Sequence, residues 1–189
     1  FAVQRLGGIA GIAGVVSWFL AVFVSLLIHE FGHAVAFRRW SLRPVITLYS
    51  MGGLTSATGR LTWGRSLIAS LSGPFLGLGF GALVYVVHHQ GIWVQNTLFE
   101  RVLYDDLLFV NIGWGILNLM PLHPLDGGQA LESTLHLLKV PRAGRKSAII
   151  SIATATVGVL AGIYFSFAFV ALIAGYLGYT NYKRLKSAS

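Results

Sequence analysis

The chain has 189 residues, of which 55% are hydrophobic and 11% charged, and its mean hydropathy is +0.71. Soluble domains carry about 25% charged residues, so this composition predicts an integral membrane protein with no sizeable soluble module. The absence of cysteine excludes disulfides and thiolate metal ligands, which leaves histidine and carboxylate. The formal charge of +8 is better explained by basic residues flanking membrane spans than by nucleic acid, and no nucleic-acid partner is expected.

The first apolar segment, about 10–37, is long enough to span a membrane and contains His-Glu-Phe-Gly-His at positions 29–33. In a helix, His29 and His33 lie on one face because they are four residues apart, and two such imidazoles can bind Zn²⁺. Glu30 need not bind the metal and can take a proton from a water on it. The alternative is a pair of interfacial histidines beside a glutamate that reaches the membrane surface. A metal site needs a third ligand elsewhere.

The segment after the first span is rich in residues that favour β-strands, and Gly52-Gly53 is a turn signal within it. We predict a small membrane-associated β-hairpin over about 45–58. The alternative is an ordinary connecting loop. A hairpin beside the histidine pair would have a free edge that could pair with an extended peptide.

Two further apolar segments, about 66–87 and 103–120, predict a second and a third span. In the second span, Pro74 is expected to kink the helix or to lie at a bend. The third span is expected to begin near Asp105-Asp106, since acidic residues favour a helix N-terminus.

Asn111 and Asn118 are seven residues apart in the third span and are expected on one helix face. Buried amides in a membrane usually pair with another polar group or serve a function.

The third span is followed by Pro-Leu-His-Pro-Leu-Asp-Gly-Gly at positions 121–128, in which Asp126 is the sole carboxylate. The span starts on the far side of the membrane and returns, so Asp126 is expected at the depth of His29 and His33. It would complete a His₂Asp site with one position left for water. The alternative is that Asp126 is a helix N-cap for residues 127–138.

The last apolar stretch, about 147–180, is too long for one span and is predicted to form two, about 147–163 and 165–180. Two spans place twelve of the 14 lysines and arginines on one side, whereas one span splits them nine to five. The positive-inside rule favours two spans and orients the histidine pair toward the cytoplasm. The expected fold class is therefore an all-α polytopic membrane protein with about five transmembrane segments, in a single membrane-embedded domain over 1–189.

The five residues at 29–33, called the pentad below, and the segment that contains Asp126 together resemble the motifs of the site-2 protease family of intramembrane zinc metalloproteases. The sequence His-Glu-Phe-Gly-His at 29–33 is similar to the family's first motif, and Asn-Leu-Met-Pro-Leu-His-Pro-Leu-Asp-Gly-Gly at 118–128 to its second. Met51-Gly52-Gly53 and Ser72-Gly73-Pro74 resemble its intermediate markers. The resemblance covers about 5–138, in a compact form without a PDZ or CBS domain.

This resemblance implies an enzyme that hydrolyses peptide bonds in or near transmembrane segments of membrane-protein substrates, as in regulated intramembrane proteolysis. One Zn²⁺ per chain would be held by His29, His33 and Asp126, with Glu30 as the general base and Asn118 hydrogen-bonding the oxyanion or orienting substrate. The expected partners are a substrate with a transmembrane segment and the lipid bilayer. The expected location is the plasma membrane of a prokaryote, with the active site toward the cytoplasmic side.

Two other classes of function remain open from the sequence. The first is a catalytically inactive zinc-binding scaffold that binds transmembrane partners. The second is a metal transporter, which would need a polar route through the whole membrane and for which the acidic residues are too few.

Overall fold

The computed structural model describes residues 9–49 and 52–187. Its elements, in chain order, are α1 Ile9–Arg39, β1 Pro44–Tyr49, β2 Gly52–Ala57, α2 Trp63–His89, α3 Leu98–Leu108, a π-helical segment Phe109–Trp114, α4 Gly115–Asn118, α5 Asp126–Leu137, α6 Ala143–Tyr164 and α7 Ala168–Ser187. The described chain is mostly helical with one small antiparallel sheet, as the sequence predicts. It divides into two compact units, one containing residues up to 58 and 72–117, the other 59–71 and 118–189.

The core of the first unit is formed by α1, α2 and α3. Ala21, Val84 and Leu107, one from each helix, are buried together. Aromatic side chains of Phe80 and Tyr104 pack around them. The small side chain at position 21 lets α1 approach its neighbours closely, which is how helices associate in lipid.

The helix α3 begins at Leu98, five residues before position 103, where the third span is predicted to begin. Thr97 caps it by accepting a hydrogen bond from the Glu100 backbone N–H, and the Glu100 side chain accepts one from the Thr97 N–H in return. This capping box satisfies two N–H groups that the helix leaves unpaired, so the helix starts there rather than at the acidic pair. Asp106 instead lies within α3 and accepts a 2.7 Å hydrogen bond from Ser17 of α1.

The hairpin predicted over 45–58 is confirmed by the antiparallel pairing of β1 and β2, in which Tyr49 lies opposite Gly52. Residues 50 and 51, including Met51 of the Met-Gly-Gly marker, lie outside the described residues. Both strands contact α1, the helix that carries the histidine pair.

The second unit contains α6 and α7, which pack against each other through small residues. Gly162 approaches the Ala171 backbone so closely that an added Cβ would lie 2.6 Å from the Ala171 nitrogen, and Gly158 faces Ala174. The last apolar stretch is therefore two helices, and α6 ends at Tyr164 two residues before Ser166, which has a positive φ of 58°. Such small-residue contacts are typical of helices packed in membranes.

An ionic cluster in the second unit connects two parts of the chain. One is the segment that precedes α5, and the other is α7. His123 Nε2 lies 2.9 Å from a Glu132 carboxylate oxygen, to which Arg184 also donates. The buried Asn181 donates to the His123 carbonyl at 2.7 Å. The hydrogen bond from His123 and the positive charge of Arg184 lower the pKa of Glu132 to about 2.

We expect this cluster to make the chain less stable in acid. The carboxyl of Glu132 titrates near 4.5 when unfolded and near 2 when folded, so its stabilisation is present above about pH 4.5 and is lost as the pH falls toward about 2. Because its side chain is 18% exposed, solvent screening limits the effect to about 1 to 2 kcal/mol. Glu132→Gln should flatten the decline of the unfolding temperature between pH 5 and 3, and Asp105→Asn, at an exposed position, should leave it unchanged. Equal declines in the wild type and Glu132→Gln would contradict this.

Within the described residues, three helices are long and apolar enough to cross a membrane, namely Gly11–Arg39, Trp63–His89 and Ala143–Tyr164. Large apolar side chains such as Phe19 and Leu172 are at least 70% exposed, which is favourable in lipid and costly in water. Together with the membrane-like composition, these helices support an integral membrane protein.

Five spans are not confirmed by length and composition. The predicted third span is divided into segments of 11, 6 and 4 residues. In α7, the predicted fifth span, basic residues occupy the last turn. Pro74 lies inside α2, which continues through it from Trp63 to His89.

Candidate metal centre

The two histidines of the pentad face each other on α1. Their Nε2 atoms are 3.2 Å apart, and the rings meet edge to face with centroids 4.9 Å apart. This arrangement follows from helical spacing, which places residues four apart on one face. Two imidazole nitrogens directed to the same place fit the coordination of one metal ion.

Glu30 is held against the hairpin. Its side chain is buried, with 4% of the residue exposed, and Thr55 of β2 donates a 2.7 Å hydrogen bond to Oε2. Gly53 provides the space, because a Cβ there would lie 2.6 Å from Oε1. The strand β2 therefore positions the carboxylate of Glu30.

The backbone of α2 lies against the pentad at Ser72-Gly73. A Cβ on Gly32 would lie 2.4 Å from the Ser72 carbonyl oxygen, so the two helices approach backbone to backbone. A Cβ on Gly73 would lie 2.2 Å from His33 Nε2. These two glycines are needed for the close approach of α1 and α2. This requirement could not be predicted from the Ser-Gly-Pro sequence alone.

Asp126 is the first residue of α5. The N-cap is Leu125, which makes no side-chain capping bond, so the alternative of Asp126 as an N-cap is not what the structure shows. The chain before it folds back over the helix start. An added Cβ on Gly127 would lie 2.2 Å from the Leu119 carbonyl oxygen, and one on Gly128 would lie 2.4 Å from the His123 nitrogen. The His123-Pro124 peptide bond in this segment is cis.

Asp126 stays the predicted third ligand beside His29 and His33, with one ligand atom expected from each residue. Two imidazole nitrogens and a carboxylate oxygen are a donor set that catalytic zinc sites use. Asn118, the predicted oxyanion residue, is the last residue of α4 and is partly buried. Its catalytic role stays a prediction.

Three features of the site were not predicted from the sequence. They are the hydroxyl of Thr55 on Glu30, the contact of Gly73 with His33, and the π-helical segment that carries Asn111. The Gly-Gly pair at 52–53, interpreted from the sequence only as a turn signal, is the sequence feature that could have indicated the contact of the hairpin with Glu30.

Curated relatives of the chain are zinc metalloproteases by name, although no family model matches it. The "Putative zinc metalloprotease Rip3" of Mycobacterium tuberculosis is 29% identical over 177 residues, which cover 82% of this chain and 44% of that protein. The protein sll0528 of Synechocystis has the same description, at 27% identity over 83% of this chain and 43% of its own length. "Zinc metalloprotease MJ0392" of Methanocaldococcus jannaschii is 27% identical over 62% of this chain and 34% of its own.

The chain thus spans less than half the length of these relatives. Its fold is similar to the solved structure titled "Site-2 Protease from Methanocaldococcus jannaschii", with a TM-score of 0.63 and 19% identity over 89% of this chain and 77% of that one. The relatives' names and the facing Nε2 atoms of His29 and His33 support a zinc cofactor. The chain is thus similar in sequence to proteins named as zinc metalloproteases, and similar in fold to a solved site-2 protease.

Proposed function

We propose that the chain is a zinc-dependent intramembrane endopeptidase with about five spans, which cleaves membrane-protein substrates in or near their transmembrane segments. The observation that carries the proposal is the pair of facing Nε2 atoms of His29 and His33, with the buried carboxylate of Glu30 on the same turn of an apolar helix. Two imidazoles and a carboxylate are costly to bury in lipid unless they serve a site. The proposed location is the plasma membrane of a prokaryote, and the charge distribution favours a site that faces the cytoplasm.

In the proposed mechanism, His29, His33 and Asp126 would hold one zinc ion. When bound, zinc lowers the pKa of a water and polarises a carbonyl. Glu30 takes the proton of the attacking water and returns it to the nitrogen of the leaving amine. Thr55 holds the Glu30 carboxylate in place for both transfers. Asn118 donates its amide N–H to the oxyanion that develops on the scissile carbonyl.

Substrate presentation is proposed to involve the hairpin. A helical substrate hides its peptide groups in its own hydrogen bonds, so it must unwind before cleavage. The two-stranded sheet has outer edges that could pair with an extended segment. Its strand β2 contacts Glu30 through Thr55, so a segment captured by the hairpin would lie close to the general base.

Cleavage of native membrane proteins tests this function. Membrane vesicles that contain the full chain would be compared with vesicles that contain Glu30→Gln, and new peptide termini would be identified by mass spectrometry. We expect termini in or next to transmembrane segments that appear only with the wild type, disappear with chelator and return with zinc. Identical termini in both vesicle samples would contradict proteolysis and favour the inactive scaffold.

The hydroxyl of Thr55 is expected to contribute directly to activity. Thr55→Val keeps the shape but removes the hydrogen bond to Glu30, and should lower cleavage about 10-fold to 100-fold, because a hydrogen bond to a charged group contributes about 1.5 to 3 kcal/mol. Thr55→Ser keeps the hydroxyl and should retain most activity. The measurement is the initial rate of cleavage of a substrate identified in the vesicle comparison, and equal rates for the Val and Ser variants would show that the hydroxyl does not matter.

A further inference from the structure

The π-helical segment places the amide of Asn111 in the interior of the first unit, with 2% of the residue exposed. Its Nδ2 donates to the Ser25 hydroxyl at 2.7 Å and to the Leu107 carbonyl at 2.8 Å. Both N–H groups of the amide are therefore used. Its Oδ1 has no hydrogen-bond partner among the described residues.

The orientation of this amide is determined by its partners. The Leu107 carbonyl can only accept, so the nitrogen and not the oxygen of Asn111 must face it. A flipped amide would place two oxygens together and leave the nitrogen where Oδ1 now lies. A buried acceptor without a partner costs about 1 to 3 kcal/mol, so a position that keeps one calls for a functional explanation.

Oδ1 points to the position where α2 has no side chain. A Cβ on Gly77 would lie 3.8 Å from Asn111 Oδ1 and 4.0 Å from His29 Nδ1. The two atoms therefore border one small space beside the Gly77 backbone. Two polar atoms that border one space can be joined by a water molecule that hydrogen-bonds to both.

The other nitrogen of His29 sets the role of Nδ1. Because Nε2 faces the Nε2 of His33, Nε2 is the nitrogen available to a metal, and Nδ1 then carries the ring proton. A ligating histidine almost always donates this proton to an acceptor, which holds the ring and raises its basicity.

We propose that Asn111 is a positioning residue for His29, accepting the Nδ1–H hydrogen bond of His29 through one water molecule held beside Gly77. This inference rests on the proposed metal site and names a residue outside both family-like motifs. Three features leave Asn111 Oδ1 available as an acceptor near His29. They are the π-helical turn, the two N–H bonds of Asn111 and the missing side chain at position 77.

Zinc affinity tests the inference without relying on catalysis. The purified full chain would be titrated with zinc in competition with a chromophoric chelator. We expect Asn111→Leu, which removes the acceptor, to bind zinc about 10-fold to 100-fold more weakly. Ser25→Ala removes one partner of the same amide but leaves Oδ1 and the Leu107 bond, and should stay within about twofold to threefold of the wild type.

A second pair of variants separates positioning from a merely structural role. Gly77→Ala adds a methyl group at ordinary contact distance, so the fold and both N–H bonds of Asn111 remain while the bridging water is excluded. It should weaken zinc binding as Asn111→Leu does. Gly79→Ala on the same helix meets nothing within 4 Å and should bind zinc like the wild type.

His29→Ala distinguishes failure of the inference from failure of the proposed function. If His29→Ala loses zinc while Asn111→Leu and Gly77→Ala bind it like their controls, the positioning role of Asn111 is wrong and the metal site stands. If His29→Ala binds zinc like the wild type, the metal site itself is wrong, and the inference with it.

Discussion

Replacing Glu30 with glutamine is expected to reduce cleavage about 10³-fold or more while bound zinc is retained. The substitution keeps the size of the side chain and the acceptor for the Thr55 hydroxyl, but an amide cannot take a proton from water. Because Glu30 is assigned to proton transfer and not to the metal, the zinc content should match that of the wild type. The measurement is the cleavage rate of an identified substrate together with zinc per chain.

Asp105→Asn, an acid-to-amide change at an exposed position, is the matched control and should cleave normally. Undiminished cleavage by Glu30→Gln would remove Glu30 from the mechanism. Loss of zinc from the same variant would mean that Glu30 is a ligand, contrary to the assignment of the three ligands.

Gly73→Ala is expected to abolish zinc binding and cleavage together. The added Cβ would lie 2.2 Å from His33 Nε2 and 2.6 Å from its Cε1, and such contacts under about 3.0 Å cannot persist. The His33 side chain is the part that can shift, so we expect its imidazole to rotate away from His29. This rotation removes one nitrogen from the two-histidine site, and a zinc ion left with fewer protein ligands dissociates.

Gly79→Ala is the control for this variant as well, because it makes the same change on the same helix in open space. The zinc content of both variants would be measured after gel filtration, with circular dichroism to verify that α2 has formed. A Gly73→Ala protein with a full complement of zinc would show that the approach of Gly73 to His33 is not needed for the site.

The chemistry of the site could be predicted from sequence because it depends on local spacing. The spacing of four residues from His29 to His33 places both rings on one helix face whatever surrounds them. The end of the third span could also be predicted, since Pro121 and Pro124 exclude a regular helix there, whereas Gly127 and Gly128 lie within α5. The strand pattern of the hairpin was also sufficient to predict the pairing of β1 with β2.

Contacts between segments distant in sequence could not be predicted in this way. The bond from Thr55 to Glu30 joins residues 25 apart, and that from Asn111 to Ser25 joins residues 86 apart. Neither leaves a periodic pattern. The helix α3 begins before the predicted start of the third span because the capping box at Thr97 satisfies backbone groups directly, which the acidic pair at 105–106 does not indicate.

The π-helical segment could likewise not be predicted from residue spacing. Its extra residue per turn changes which side chain faces α1, and the amide of Asn111 is buried there. Insertions of this kind often occur at functional sites, which agrees with the role proposed for Asn111.

The zinc content of the purified full chain tests the central claim most directly. We expect about one zinc per chain in the wild type, and almost none in Asp126→Ala at the same zinc concentration, because His29 and His33 alone leave the metal under-coordinated. A wild-type chain without zinc would contradict the proposed metal site, and so would an Asp126→Ala chain that binds zinc as tightly as the wild type.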